Sequence, residues 1–303
     1  MKKLFVHILL MILGLAVACL SFPLDKRNRY QQLNAECLEK SGWIYDRIHL
    51  SDTPIDIAFI GSSHTINGVN DSLLEANLSH NMHVSNLGYC RLGRDLHFEI
   101  LQELVQSKQP KKLVLEIGWE ENRFSHPSFA QLADPQDILM AYPIMNGSYF
   151  PNILNLFRER LIRIQKRLWN PTSPSTENRL PHGFTTVPNK AEISVLEASR
   201  TRLSKKKRPS PAIRRNLLEA FPNYYLDYIS SFCRQHQIEL SFLYLPPFGC
   251  QPLEQKEKDF YKRMGELWIP PASILDEPSN WYDAGHFNLE GAEQLSLWLA
   301  KKL

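Results

Sequence analysis

The chain has 303 residues, of which 43% are apolar, so it is long enough to bury one sizeable core and to carry an insertion. Its 35 Lys and Arg residues nearly balance 32 Asp and Glu residues, which leaves a formal net charge of +3. Nothing in a charge so close to neutral demands a nucleic-acid partner or a strongly acidic substrate, and we expect no nucleic acid.

An uncharged segment follows Lys2 and Lys3 and continues to Leu24, close to the ~20 residues that a helix needs to cross a bilayer. We expect residues 1–25 to be a signal peptide or membrane anchor, and residues 26–303 to lie outside the cytoplasm, in the periplasm or cell envelope. Small residues before Cys19 permit cleavage, and Cys19 itself permits lipidation. The apolar character continues beyond it, however, as in a retained anchor.

Short apolar runs predict the strands of the first half of the domain. They are 55–60, 83–87 and 113–117. Between the last two, apolar residues recur at helical spacing from Leu92 to Val105, which predicts a βαβ unit. Further along, the sequence predicts a helix over 222–237, a strand over 239–245 and a closing helix over 289–303. This alternation is typical of an α/β fold with a mainly parallel sheet covered on both faces.

The segment 124–211 has a different character, rich in Pro, Ser, Thr and Asn, and we interpret it as a largely helical or irregular insertion or cap. Within it, apolar and basic residues alternate over 156–169 and predict an amphipathic helix. That helix either lies on an anionic membrane surface or docks on the domain with its basic side in solvent, and we favour docking. The basic run Lys205–Arg208 is interpreted as a solvated loop.

Five cysteines are scattered along the chain without the paired spacing of a zinc site, so no metal is expected. In an oxidising compartment a pair such as Cys233 and Cys250 is able to form a bridge, but sequence separation does not fix distance in the fold. The cysteines are therefore left unassigned.

Two places near predicted strand ends carry residues suited to chemistry. Ser63 follows a buried strand and Gly61, so its hydroxyl can be exposed at the start of a helical turn, close to backbone N–H groups. Near the C-terminus, Asp283 stands three residues before His286, and Asn288 is a suitable N-cap for the closing helix. A carboxylate at that spacing can orient the imidazole, which then takes a proton from serine.

Together these segments resemble the SGNH, or GDSL-like, hydrolase superfamily. IAFIGSSHTINGV is similar to its first block, SNLGYCRLG to the second, LVLEIGWEEN to the third and YDAGHFNLEGAEQL to the last. The resemblance implies a three-layer α/β/α, flavodoxin-like sandwich in which Ser63, Asp283 and His286 form a catalytic triad. It also implies an oxyanion hole drawn from Ser63, Gly88, Arg91 and Asn122, and it does not cover the insertion.

Three departures from the family pattern are visible. Ser62 replaces the usual Asp before the nucleophile, as in extracytoplasmic relatives such as the D-alanyl transfer protein of lipoteichoic acid synthesis. Arg91 stands near the place of a glycine in the second block. In the third block Glu120 stands where an oxyanion asparagine is expected, and an ionised carboxylate cannot donate the hydrogen bond.

The resemblance implies a serine esterase or O-acyltransferase that works through an acyl-enzyme on acyl esters of cell-envelope glycans or glycolipids. We expect no cofactor, and we expect membrane attachment through the N-terminal segment. The resemblance to O-acyltransferase systems also implies a multi-spanning membrane protein that supplies acyl groups. His64, Trp119 and Tyr282 are candidates to line the substrate site. The alternative is a non-catalytic envelope protein that binds glycan or assists assembly on the same scaffold.

Overall fold

Five parallel strands form the centre of a computed structural model that describes residues 2–31, 33, 40–78, 82–169, 182–206 and 219–303. The strand order across the sheet is β2-β1-β3-β4-β5. The strands are β1 (Ile57–Ile60), β2 (Val84–Asn86), β3 (Lys112–Ile117), β4 (Glu239–Tyr244) and β5 (Glu266–Trp268). The first four were predicted, with ends that differ by at most two residues. The fifth was not, because three residues are too few to show a period.

Helices connect and cover these strands. In chain order they are α1 (Lys2–Ser21), α2 (Lys26–Gln31), α3 (Lys40–Tyr45), α4 (Ser63–Gly68), α5 (Asp71–Asn77), α6 (Arg94–Ser107), α7 (Phe129–Leu132), α8 (Pro135–Leu139), α9 (Tyr149–Trp169), α10 (Ile193–Lys205), α11 (Ala220–Gln235), α12 (Gln255–Lys262), α13 (Ala272–Leu275) and α14 (Leu289–Ala300). A π-helical turn, Asp46–Leu50, continues α3, and a 3-10 turn, Pro278–Asn280, precedes the last loop. The predicted helices before and after β4 are confirmed as α11 and α14.

Alternate residues of β1 pack on opposite faces of the sheet. Ala58 and Ile60 join a core with apolar residues of α6 and α11, whereas Ile57 and Phe59 join a second core with residues of α5 and α14. Side chains alternate along a strand, so a sheet buried on both faces needs apolar residues at every position. The predicted three-layer α/β/α architecture is therefore confirmed.

The chain reverses direction across the sheet at β1. Phe59 of β1 lies opposite Asn86 of β2 on one side and opposite Val114 of β3 on the other. The connections from β1 to β2 and from β2 to β3 therefore leave a crevice at the carboxyl ends of β1 and β3. In open parallel sheets this switch point is where ligands bind.

Helix α1 is long and apolar enough to span a bilayer, with a mean hydropathy of 2.6 over its most apolar window. Only 6% of that window is buried against the rest of the protein. Its length, composition and exposure are compatible with a signal or membrane anchor.

The insertion forms helices α7 to α10 within its described part, and α7, α8 and α9 share a small apolar core around Phe129, Ile138 and Leu156. Lys205 is the last residue of α10, which corrects the prediction of a loop beginning at that position. The remainder of that basic run, 207–208, lies outside the described residues.

Helix α9 docks on the domain as expected, but two of its arginines are buried in the contact instead of facing solvent. Arg160 and Arg163 are each only 7% exposed. The Arg160 guanidinium donates to the carbonyls of Cys19, Leu20 and Phe22 at 2.7–2.9 Å. The last carbonyls of a helix have no partner within it, and those at the end of α1 draw this arginine inward.

A group of buried charges ties α2 to α6. Lys26 Nζ lies 3.2 Å from Asp134 and 4.0 Å from Glu99, and it also contacts Glu103. The three carboxylates have the spacing of a cation site, and a lysine ammonium lies among them. Burial raises the pKa of Glu99 to about 8, and the nearby Asp137 adds to this rise.

The structure corrects one open suggestion about the cysteines. Cys19, Cys233 and Cys250 take part in no disulfide. Cys90 is disulfide-bonded, and Cys37 lies outside the described residues. The bridge between Cys233 and Cys250 that sequence left open is therefore absent.

Candidate functional site

The first half of the site is the turn that follows β1. Ser62 caps α4 with extended backbone, and its hydroxyl accepts a hydrogen bond from the His64 N–H at 3.1 Å. Ser63 is the first residue of that helix. The local sequence thus ends a buried strand, caps a helix and leaves Ser63 at the helix N-terminus, where orphan N–H groups favour negative charge.

A buried carboxylate on the neighbouring strand β3 binds the turn that follows β1. Glu116, on β3, accepts hydrogen bonds from the N–H and hydroxyl of Ser62, both at 2.7 Å, and from the N–H and hydroxyl of Thr65 at 3.1 and 2.6 Å. Its side chain is 2% exposed. Four donors satisfy a buried charge, and in return they fix the backbone on either side of Ser63.

The second half is the loop between the 3-10 turn and α14. Trp281 and Phe287 pair as an antiparallel bridge, are almost fully buried and have ring centroids 4.2 Å apart. The Asp283 carboxylate accepts hydrogen bonds from the N–H groups of Gly285 and His286 at 2.7 and 2.8 Å. Asn288 caps α14 by accepting from the Gly291 N–H at 3.0 Å, as predicted. The bridge between Trp281 and Phe287 therefore fixes the two ends of the loop, and the hydrogen bonds of Asp283 fix its middle.

The structure brings Ser63, His286 and Asp283 together as a hydrogen-bonded relay. Ser63 Oγ lies 2.8 Å from His286 Nε2, and His286 Nδ1 lies 3.0 Å from both Asp283 carboxylate oxygens. An ionised carboxylate only accepts, so the imidazole proton resides on Nδ1, and Nε2 accepts from the serine hydroxyl. This is the geometry of a serine nucleophile, its base and the group that orients the base.

Asp283 is ionised at neutral pH. Its partial burial raises the pKa of the carboxyl, but hydrogen bonds from the His286 ring and the Gly285 N–H outweigh burial and hold the pKa below its ordinary value. The negative charge can therefore stabilise an imidazolium when His286 takes the serine proton.

Two backbone N–H groups are available near Ser63 to bind an oxyanion. Within the described parts of the chain, neither the Ser63 N–H nor the Arg91 N–H donates a hydrogen bond. The structure does not place the other two suggested donors there. The Gly88 N–H donates to Asn86 Oδ1 at 3.1 Å, and the Asn122 side-chain amide donates to the Leu92 carbonyl at 2.6 Å.

Arg91 has the backbone conformation that a glycine favours. Its φ angle is +69°, in the left-handed region that costs an L-residue about 1–2 kcal/mol. This is the position near which the family pattern has a glycine. The turn therefore combines a glycine-like backbone with a guanidinium side chain.

A cavity of about 720 Å³ opens beside Ser63. Its charged lining is mostly basic: Arg91 from the loop after β2, Arg202 and Lys205 from α10, and Lys206 just beyond it. Glu116 and Glu120 are the acidic residues of the lining, the first bound to the turn and the second paired with Lys206 at 2.5 Å. The insertion thus supplies one basic wall of the cavity.

The three residues suggested to line the substrate site have different places. His64 and Trp119 line the cavity. His64 Nδ1 donates to the Leu245 carbonyl at 2.9 Å, and the His64 ring contacts His286 edge-on at 5.3 Å. Tyr282 instead stacks on His286, with centroids 5.5 Å apart and an interplanar angle of 11°, so it supports the imidazole.

Sequence reasoning missed Glu116 and the basic residues of α10. No pattern along the chain links Glu116 to the serine turn 54 residues earlier. Basic residues at the end of a helix are common on any surface. Their helical spacing, Arg202 with Lys205 and Lys206, was the only signal that they share a face.

Known families give no independent assignment of this site. The sequence matches no protein-family model, and it matches no curated protein. The chemistry of the site is therefore inferred from its own residues and their geometry.

Proposed function

We propose that this chain is a membrane-anchored, extracytoplasmic serine esterase or O-acyltransferase of the SGNH type, acting on acyl esters of cell-envelope glycans or glycolipids. The observation that carries the proposal is the relay from Ser63 Oγ through His286 to Asp283, at the switch point of a parallel sheet. The apolar helix α1 supports attachment to a membrane.

The proposed reaction has two steps. In the first, His286 Nε2 takes the Ser63 proton as Oγ attacks the ester carbonyl, and the N–H groups of Ser63 and Arg91 bind the oxyanion. The protonated His286 then gives its proton to the leaving alcohol, which leaves an acyl-serine. In the second step, His286 activates water or an acceptor hydroxyl, whose attack releases acid or a new ester and restores Ser63.

The lining of the cavity supports an acidic substrate. Within the described residues, Arg91, Arg202 and Lys205 form no ion pair, whereas the two carboxylates of the lining are already bound. A cavity with unpaired cations attracts phosphate or carboxylate groups. An acylated acidic glycan or a glycolipid phosphate fits this charge.

The competing function is a non-catalytic glycan-binding or assembly protein on the same scaffold. The observation in its favour is that the Gly88 N–H and one N–H of the Asn122 amide are engaged elsewhere, which weakens the suggested oxyanion hole.

Fluorophosphonate labelling of the full chain in detergent micelles separates the two functions. Attack by an activated serine on phosphorus expels fluoride and leaves a stable phosphonyl-serine, so we expect the wild type to be labelled. Ser63→Ala and His286→Ala should abolish labelling, whereas the exposed controls Ser194→Ala and His236→Ala should retain it. A folded wild-type chain that takes no label would instead support the non-catalytic protein.

A further inference from the structure

Helix α9 carries an apolar stripe that nothing in the described part of the chain covers. The stripe consists of Phe150, Leu154, Leu161, Leu168 and Trp169, whose exposed fractions lie between 58% and 74%. The first four are separated by four, seven and seven residues, so they fall on one side of the helix. The buried side consists of Asn152, Leu156, Arg160 and Arg163.

This arrangement differs from that of a typical helix on the surface of a water-soluble domain. Such a helix buries its apolar side and exposes its charges. Here arginines are drawn inward by carbonyl groups, and large apolar side chains point away from the protein. A contiguous exposed apolar surface of this kind marks contact with a partner or a membrane.

The connection before α9 also exposes large apolar side chains. Met140, Ile144 and Met145 are all exposed. The Tyr149 hydroxyl donates to the Leu139 carbonyl at 2.9 Å, which holds the end of α8 against the first turn of α9. The exposed apolar surface therefore extends beyond one helix.

The contact between α9 and α1 indicates that a lipid bilayer covers the stripe. Arg160 binds the carbonyls of Cys19, Leu20 and Phe22 at the C-terminal end of α1, and Arg167 donates to the Pro23 carbonyl at 2.5 Å. If α1 spans a bilayer, this end lies at the boundary between lipid and water. Helix α9 is then held at the same boundary.

Exposed cations flank the stripe on the same helix. Arg158 and Lys166 are exposed, and their long side chains can reach lipid phosphates while the apolar residues enter the acyl region. This combination favours anionic lipids over neutral ones.

We propose that α9 lies in the interfacial layer of an anionic bilayer, with its apolar stripe inserted among the acyl chains beside the end of α1. The inference rests on the membrane attachment by α1 that is part of the proposed function, and it is independent of the chemistry at Ser63. Helix α9 is thus a second point of membrane attachment, which fixes the orientation of the domain above the lipid.

Quenching by brominated lipids tests this proposal on the full chain. The protein is placed in nanodiscs of phosphatidylcholine and phosphatidylglycerol whose acyl chains carry bromine, which quenches nearby tryptophans. The chain has six tryptophans, and Trp169 is the one within the stripe. We expect bromine to lower wild-type emission, and we expect most of that loss to disappear in Trp169→Phe.

Trp298→Phe is the matched control, because Trp298 is a half-buried residue of α14 and lies outside the stripe. It should retain the wild-type loss of emission. Equal quenching in the wild type and Trp169→Phe, or none in either, would overturn the proposal and favour a protein partner for the stripe. Fluorophosphonate labelling of Trp169→Phe should match the wild type, so failure of this inference is distinguishable from failure of the proposed chemistry.

Discussion

At the scale of single residues, Arg91 combines two roles that a glycine and a cation would perform separately. Its left-handed backbone leaves the N–H without a hydrogen-bond partner among the described residues, and its side chain lines the basic cavity. The strain is local, since a glycine can adopt the same backbone freely. Substitutions at this position therefore separate the contribution of the charge from that of the turn.

Arg91→Gly should preserve the turn and remove the charge. We expect the free energy of unfolding to stay within about 1 kcal/mol of wild type, because relief of strain offsets the greater freedom of the unfolded chain. Hydrolysis of an acidic aryl ester should fall about tenfold relative to a neutral one, which corresponds to about 1.4 kcal/mol. Arg91→Ala should lose the same preference but be less stable than Arg91→Gly, and an unchanged preference in both variants would contradict a role for this cation.

Glu116→Gln should weaken the hydrogen bonds that hold the turn around Ser63. The amide offers one acceptor oxygen where the carboxylate offers two, and its NH2 group then faces N–H and hydroxyl donors. We expect a loss of about 2–4 kcal/mol in the free energy of unfolding, together with slower fluorophosphonate labelling. Glu120→Gln is the control, since Glu120 is partly exposed and pairs only with Lys206 at the rim.

Part of the site could be predicted from sequence because its residues are close together along the chain. Asp283 and His286 are three residues apart, and Ser63 directly follows the strand end that positions it. Glu116 could not be predicted, because its role depends on β1 and β3 being neighbours. Gly88 and Asn122 were suggested by family pattern alone, and side-chain rotation and local hydrogen bonds direct their donors elsewhere.

At the scale of elements, the attachment of α2 to α6 depends on the protonation of buried carboxyls. The pKa of Glu99 is raised from 4.5 to about 8, chiefly by burial. The folded state therefore retains a proton that the unfolded state gives up between these two values. By linkage, this group makes the protein less stable as pH rises from about 4.5 to 8.

Glu99→Gln should remove that dependence, because an amide stays neutral at every pH. The midpoint of thermal unfolding should fall between about pH 5 and pH 8 in the wild type, and it should fall less in the variant. Glu239→Gln, at an exposed carboxyl, serves as the control. A variant whose midpoint changes with pH as steeply as that of the wild type would show that Glu99 is ionised in the folded protein.

Elements were predictable where their hydrophobic period is long enough to recognise. The helices α6, α11 and α14 show it over 12 to 16 residues, whereas β5 has three residues and no visible period. The burial of two arginines of α9 was not predicted, because it depends on carbonyl groups at the ends of other helices. Amphipathicity alone does not show which side of a helix finds a partner.

At the scale of the whole molecule, the topology brings distant segments of the chain to one crevice. Ser63 follows the first strand, the basic wall of the cavity comes from the insertion, and His286 precedes the last helix. The overall α/β class was predictable, since alternating strands and helices permit few arrangements. The placement of the insertion over the carboxyl ends of the strands was not predictable, because the sequence of the insertion does not show which part of the sheet it contacts.

The contact between Ser63 and His286 joins residues that are 223 positions apart. Ser63 is made early in synthesis, and its base is made only when nearly all of the chain has been completed. A chain that stops anywhere before Asp283 carries a serine with no base to activate it. In the proposed reaction, an incomplete or still-emerging copy is therefore unable to attack an ester.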